Sequence, residues 1–292
     1  MRRLEIFELT CSVDTIGIKS KTNVPIEHFK FITKKTCLKG DYFSYRLNPD
    51  LYYDNYTANL IDNLSAVKMM ATLMNLKNPI IYRIDFRCDS FEDNFNKLSK
   101  LNRLLLLLVT IFFRIENRYI SRDLLTLEEL TSRIQNSRFE VENYNKSLQE
   151  RGSIVKNRIE MRSKKLNYGL DKYEESLINE FEIWMNRLKK VIGEGIIRKF
   201  IESANKHLVK LYKDESKTNG FNTGKFLYKY TDCIYLRDQL LDFFTKIDAD
   251  NPVQKTKSYL QYNDIELFGK IDLIEYIKII EDSWLKFLNP TG

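Results

Sequence analysis

Histidine is nearly absent from these 292 residues: there are two, His28 and His207, far apart and without metal-ligand spacing. Four cysteines (Cys11, Cys37, Cys88 and Cys233) are scattered with no CxxC pair. That excludes a zinc site of the usual Cys/His kind and a disulfide framework, and it suggests reduced thiols. Any metal must therefore rest on carboxylates, the hard oxygen donors. The opening "MRRLEIFELT" lacks the apolar stretch of a signal peptide. The most apolar run, "LLLLLVTIFF" (104–113), is half the ~20 residues a membrane span requires and has charges on both flanks, so a buried helix is expected there. No internal repeat or low-complexity tract is visible. These absences together point to a soluble cytoplasmic protein with no membrane partner.

What is present is a globular composition: 43% hydrophobic, 30% charged, 17 Tyr and 18 Phe. The net charge of +7 favours a polyanionic partner without proving one. The chain changes texture near residue 167. Before it, strand-like and helix-like stretches alternate. A hairpin is expected in "RRLEIFELTCSVDTIGIKSK", a strand over 42–47 that stops at Asn48-Pro49, a helix near 58–76, a strand over 80–88, a helix over 91–115, and one or two strands or a hairpin within 117–137. After it, apolar residues recur every three to four positions (Leu177, Phe181, Trp184, Leu188, Ile192, Ile196, Phe200), and helices are expected almost throughout. The expected architecture is α+β: a central antiparallel sheet with helices on one face over 1–166, then a mainly helical region over 167–292.

Three stretches share one pattern. In "YRIDFRCD", Arg83, Asp85, Arg87 and Asp89 have one parity, and Tyr82, Ile84 and Phe86 the other. In "RFEVENYNK" the polar parity carries Arg138, Glu140, Glu142, Tyr144 and Lys146. In "NRIEMRSKKL" it carries Arg158, Glu160, Arg162 and Lys164, opposite Ile159 and Met161. Strand side chains alternate, so each strand has one apolar and one charged face. Placed in one antiparallel sheet, the apolar faces can pack on the 58–76 and 95–113 helices. The opposite face then gathers Asp85, Glu142 or Glu140, Glu160, several arginines and Tyr144. Carboxylates can hold a divalent cation, arginine or lysine can steady phosphate oxygens, and a tyrosine hydroxyl can attack phosphorus. A phenol ordinarily ionises near pH 10, so it needs a cation or base beside it. The plainer reading is a solvated sheet face whose mixed charges pair across strands.

The order of "YRLNPDL" (45–51), "YRIDFRCD" (82–89), "YNK" (144–146) and "NRIEMRSKK" (157–165) resembles the rolling-circle plasmid replication initiators of the transesterase (Rep_trans) type. It is also similar to the related relaxases of integrative conjugative elements. The likeness covers roughly residues 1–166. It implies a nicking and joining fold related to the His-hydrophobic-His endonucleases, whose paired histidines this chain lacks. It also implies metal-assisted transesterification with Mg or Mn: Tyr144 as nucleophile, Asp85, Glu142 and Glu160 as metal carboxylates, and Arg83, Lys146 and Arg158 as phosphate-side cations. The partners implied are double- and single-stranded origin DNA, a host helicase and a second copy of the chain. Residues 167–292 would serve DNA binding or dimerisation. The alternatives are a conjugative relaxase and a non-catalytic origin-binding protein.

Overall fold

A computed structural model describes residues 8–38, 40–54, 59–91, 95–113, 131–135, 137–145, 153–262 and 267–289; for residues 95, 96, 131–134, 144, 145 and 262 it describes the backbone only. The fold is α+β. Seven strands form one antiparallel sheet: β1 (Leu9–Ser20), β2 (Ile32–Cys37), β3 (Phe43–Leu47), β4 (Ile80–Ser90), β5 (Thr131–Gln135), β6 (Phe139–Asn145) and β7 (Asn157–Gly169), in the order β2-β3-β1-β4-β7-β6-β5.

The α-helices among the described residues are α1 (Pro49–Tyr53), α2 (Leu60–Leu73), α3 (Phe95–Phe112), α4 (Tyr173–Val191), α5 (Glu194–Glu215), α6 (Thr223–Lys229), α7 (Arg237–Lys246), α8 (Pro252–Tyr262) and α9 (Lys270–Leu288). Local chemistry sets several starts. The Asn48 side chain accepts from the Asp50 N–H with Pro49 at the first helical position, and Asn59 caps α2 through the Asp62 N–H. No helix among the described residues is long and apolar enough to cross a membrane. The "LLLLLVTIFF" run begins inside α3, where Leu104 to Val109 are all buried.

One expectation is corrected. No hairpin turns within 9–20: β1 is a single twelve-residue strand with a bulge between Val13 and Thr15. A bulge absorbs the break in alternation that a turn would otherwise explain. Of the polar region expected at 117–137, only β5 and its approach to β6 lie within the described residues.

Two helices from the C-terminal half of the chain, α4 and α9, cover much of the sheet's apolar face. The Phe86 ring of β4 lies edge-on to Phe181 of α4 (5.6 Å) and to Trp284 of α9 (5.3 Å). Trp184 of α4 is fully buried against Phe139 and donates its indole N–H to Ser163 Oγ at 3.1 Å. Ser283 of α9 donates to the Leu9 carbonyl at 2.6 Å. One continuous core thus runs from Leu9 to Phe287, and a smaller aromatic cluster around Phe226 and Phe243 joins α5 to α8.

Candidate active site on the polar face of the sheet

Register decides which charges meet. Across β4, β7 and β6, three rows follow from the strand pairing: Asp89–Arg158–Tyr144, Arg87–Glu160–Glu142 and Asp85–Arg162–Glu140. The polar parities expected from sequence therefore share one face, where carboxylates sit opposite guanidiniums across the strands except that Glu160 faces Glu142. Of the expected site residues, Arg83, Asp85, Glu142, Arg158 and Glu160 are all brought there. Tyr144 occupies the register position opposite Arg158, but its side chain lies outside the described residues, as does the whole of Lys146.

This face is buried, where a solvated sheet face would not be. Asp85, Arg87, Asp89, Glu140, Glu142, Arg158 and Glu160 are each at most 5% exposed. Burying charge is costly unless each group is paired, and the pairing is extensive. Arg83 forms a two-pronged pair with Asp85, Nε and Nη2 each 2.7 Å from a carboxylate oxygen. Arg158 does the same with Asp89 at 2.6 and 2.8 Å and reaches Asp14 at 2.7 Å. Arg87 binds Asp50 of α1. Arg162 is the hub: it contacts Glu140, Glu142 and Glu160 and lies 3.6 Å from Asp85.

Two contributors, Asp14 and Asp50, are not legible in the strand alternation. Asp14 reaches the face because the β1 bulge re-aims it, and Asp50 because the Asn48 cap turns the chain into α1. Arg162 was visible in the polar parity, but its central place depends on two neighbouring strands. The two histidines, His28 and His207, are exposed and remote from this set in sequence.

The charge balance is informative. Among the described residues, seven carboxylates (Asp14, Asp50, Asp85, Asp89, Glu140, Glu142, Glu160) meet five cations (Arg83, Arg87, Arg158, Arg162, Lys164). Burial pushes the Glu160 carboxyl up to about 7, with Asp14 adding to the rise against the pull of Arg162. Burial also raises Asp85, outweighing Arg83. Glu140 moves the other way: burial opposes ionisation there, but Arg162 and Lys164 together hold its carboxyl below the usual range. The four carboxylates hold Arg162 in a raised, permanently charged state against the effect of burial. An all-oxygen donor set has the chemistry a hard divalent cation needs. Among the described residues, however, no three Asp, Glu, His or Cys side chains are spaced to share an ion; these carboxylates are gathered on Arg162.

No family model matches the chain, and no curated protein matches it. A search of solved structures returns a rolling circle replication initiator protein from Geobacillus stearothermophilus, at 13% sequence identity and a TM-score of 0.25, covering 53% of this chain and 74% of that one.

Proposed function

We propose that this chain is a replication initiator that nicks one strand of origin DNA by tyrosine transesterification. The observation that supports this reading best is the register: Tyr144, Arg158 and Asp89 fall in one row across three adjacent strands, beside the row Arg87–Glu160–Glu142. That register agrees with what the likeness of "YRIDFRCD", "YNK" and "NRIEMRSKK" to transesterase initiators implies, a nucleophile beside fixed cations and oxygen donors.

In this reading the Tyr144 hydroxyl attacks a backbone phosphorus. The phosphotyrosine bond forms to the 5′ phosphate, the P–O3′ bond breaks, and the leaving 3′ oxygen takes up a proton to become the primer hydroxyl. Arg158, clamped by Asp89 and Asp14, is the fixed cation next in register to Tyr144. Arg83 is held in the same way by Asp85. Preorganised cations of this kind stabilise charge without reorganising as the reaction proceeds. Asp85, Glu142 and Glu160 are gathered on Arg162 as they stand, so they would have to leave that guanidinium before they could hold a Mg or Mn ion, and no step here runs through a metal.

The test is a 3′-labelled pool of random single-stranded oligonucleotides incubated with the protein and Mn²⁺, run on a denaturing gel. The label should shift to the mass of a protein–DNA adduct, vanish on chelation and vanish in Tyr144→Phe. An adduct that persists in Tyr144→Phe removes Tyr144 as nucleophile.

A non-catalytic DNA-binding protein is the second reading. The observation that favours it is the satisfied, buried charge network around Arg162, which a structural role also explains. It predicts no adduct under any metal.

A further inference from the structure

We infer that α5 carries a sequence-independent docking face for duplex DNA, formed by Lys199, Lys206, Lys210 and Lys213. Steps of seven, four and three residues keep all four lysines on one face of a helix with 3.6 residues per turn. The row is about 21 Å long, at 1.5 Å per residue. It lies opposite the packing side of α5, where Ile197, Phe200 and Leu208 are buried.

All four lysines are exposed, and among the described residues none makes an ion pair or hydrogen bond. Four lysines elsewhere in the helical region, Lys189, Lys229, Lys246 and Lys270, each sit 2.7 Å from a carboxylate. Like charges three and four residues apart on a helix repel. Lys206, Lys210 and Lys213 accept that repulsion with only Glu202 and Asp214 at the margins of the row. An external polyanion would relieve it.

The composition of the face selects among polyanions. Single-strand binders interleave aromatic side chains on which bases stack, and this face has none. An interfacial membrane helix needs exposed apolar residues beside its cations, and the neighbours here are Glu202, Ser203 and His207. Arginine, asparagine and glutamine, the usual readers of base edges, are missing from the row. Ammonium groups on a rigid helix suit backbone phosphates, contacts that hold a protein on the duplex without reading sequence.

The inference rests on the proposed function only in naming DNA as the polyanion. It is tested by fluorescence anisotropy on a labelled 25-base-pair random-sequence duplex between 50 and 200 mM KCl, with chelator present. Each single Lys→Gln change in the row should flatten the slope of log K against log salt by about 0.9, and the four together by about 3 to 4. Glu202→Gln should tighten binding. A charge-matched control changing Lys189, Lys229, Lys246 and Lys270 to Gln should leave the slope near wild type, with circular dichroism showing both proteins folded. The proposal is overturned if the row variant keeps the wild-type slope, if the control flattens it equally, or if the wild type prefers single strands or anionic vesicles to duplex. Tyr144→Phe should bind duplex as the wild type does, so failure of the docking face and failure of the nicking chemistry give different results.

Discussion

Glu160 lies beside two arginines, Arg158 and Arg162, and its carboxyl is nevertheless pushed up to about 7 from the usual 4.5. Burial and the neighbouring Asp14 outweigh both cations. The consequence for stability has a definite sign. The folded state holds this proton more tightly than the unfolded chain, so the contribution is fully present below about pH 4.5 and is lost as pH rises through about 7. The size is about 3 kcal/mol at most, at 1.36 kcal/mol per pKa unit. Glu160→Gln keeps an acceptor for Arg162 and never ionises. In chelator-containing buffer it is therefore expected to be more stable than wild type by about 1–3 kcal/mol at pH 8. The two should converge towards pH 5. Urea midpoints across pH 5–8 measure this, and a variant as pH-dependent as the wild type would contradict it.

At the scale of the element, β1 shows how a close approach can override local preference. Alanine is ordinarily better than glycine inside a strand. At Gly17, however, an added Cβ would sit 2.7 Å from Tyr82 Cζ and 2.8 Å from Arg83 Cβ. The Tyr82 ring also receives the Lys19 ammonium, 5.1 Å from its centroid. Gly17→Ala is expected to destabilise the protein by about 1–3 kcal/mol, the range for overpacking. Part of that loss should be recovered when Tyr82→Ala is added, and a double-mutant cycle on urea midpoints reads the coupling. If Gly17→Ala is stabilising, the ring moves aside freely and the contact does not constrain β1.

For the whole molecule, the notable feature is that the last described helix covers the first described strand. α9 packs on β1, and its Trp284 stacks on Phe181 of α4 at 4.2 Å above Phe86 of β4. Residues 1–166 alone would lack α4 and α9 and leave the centre of the apolar face open. A fragment of 1–166 is expected to show no cooperative urea transition and no near-ultraviolet dichroism, whereas the full chain shows both. A sharp transition in the fragment would mean that the sheet finds another cover.

What could be read from the sequence was what covalent geometry fixes locally. Alternation with period two put Arg83, Asp85, Glu142, Arg158 and Glu160 on polar strand faces before any partner was known, because successive strand side chains must point opposite ways. Helical periodicity placed Trp184 in the core, and the length of "LLLLLVTIFF" made it a buried helix. Only the tertiary structure decided the pairings. Strand register made Arg162 the hub of four carboxylates, a bulge brought in Asp14, and a capped turn brought in Asp50. These depend on residues up to 144 positions apart, as between Asp14 and Arg158, and no local rule reaches that far. The buried state of the polar face was equally invisible, because alternation shows which side chains share a face but not whether that face meets water.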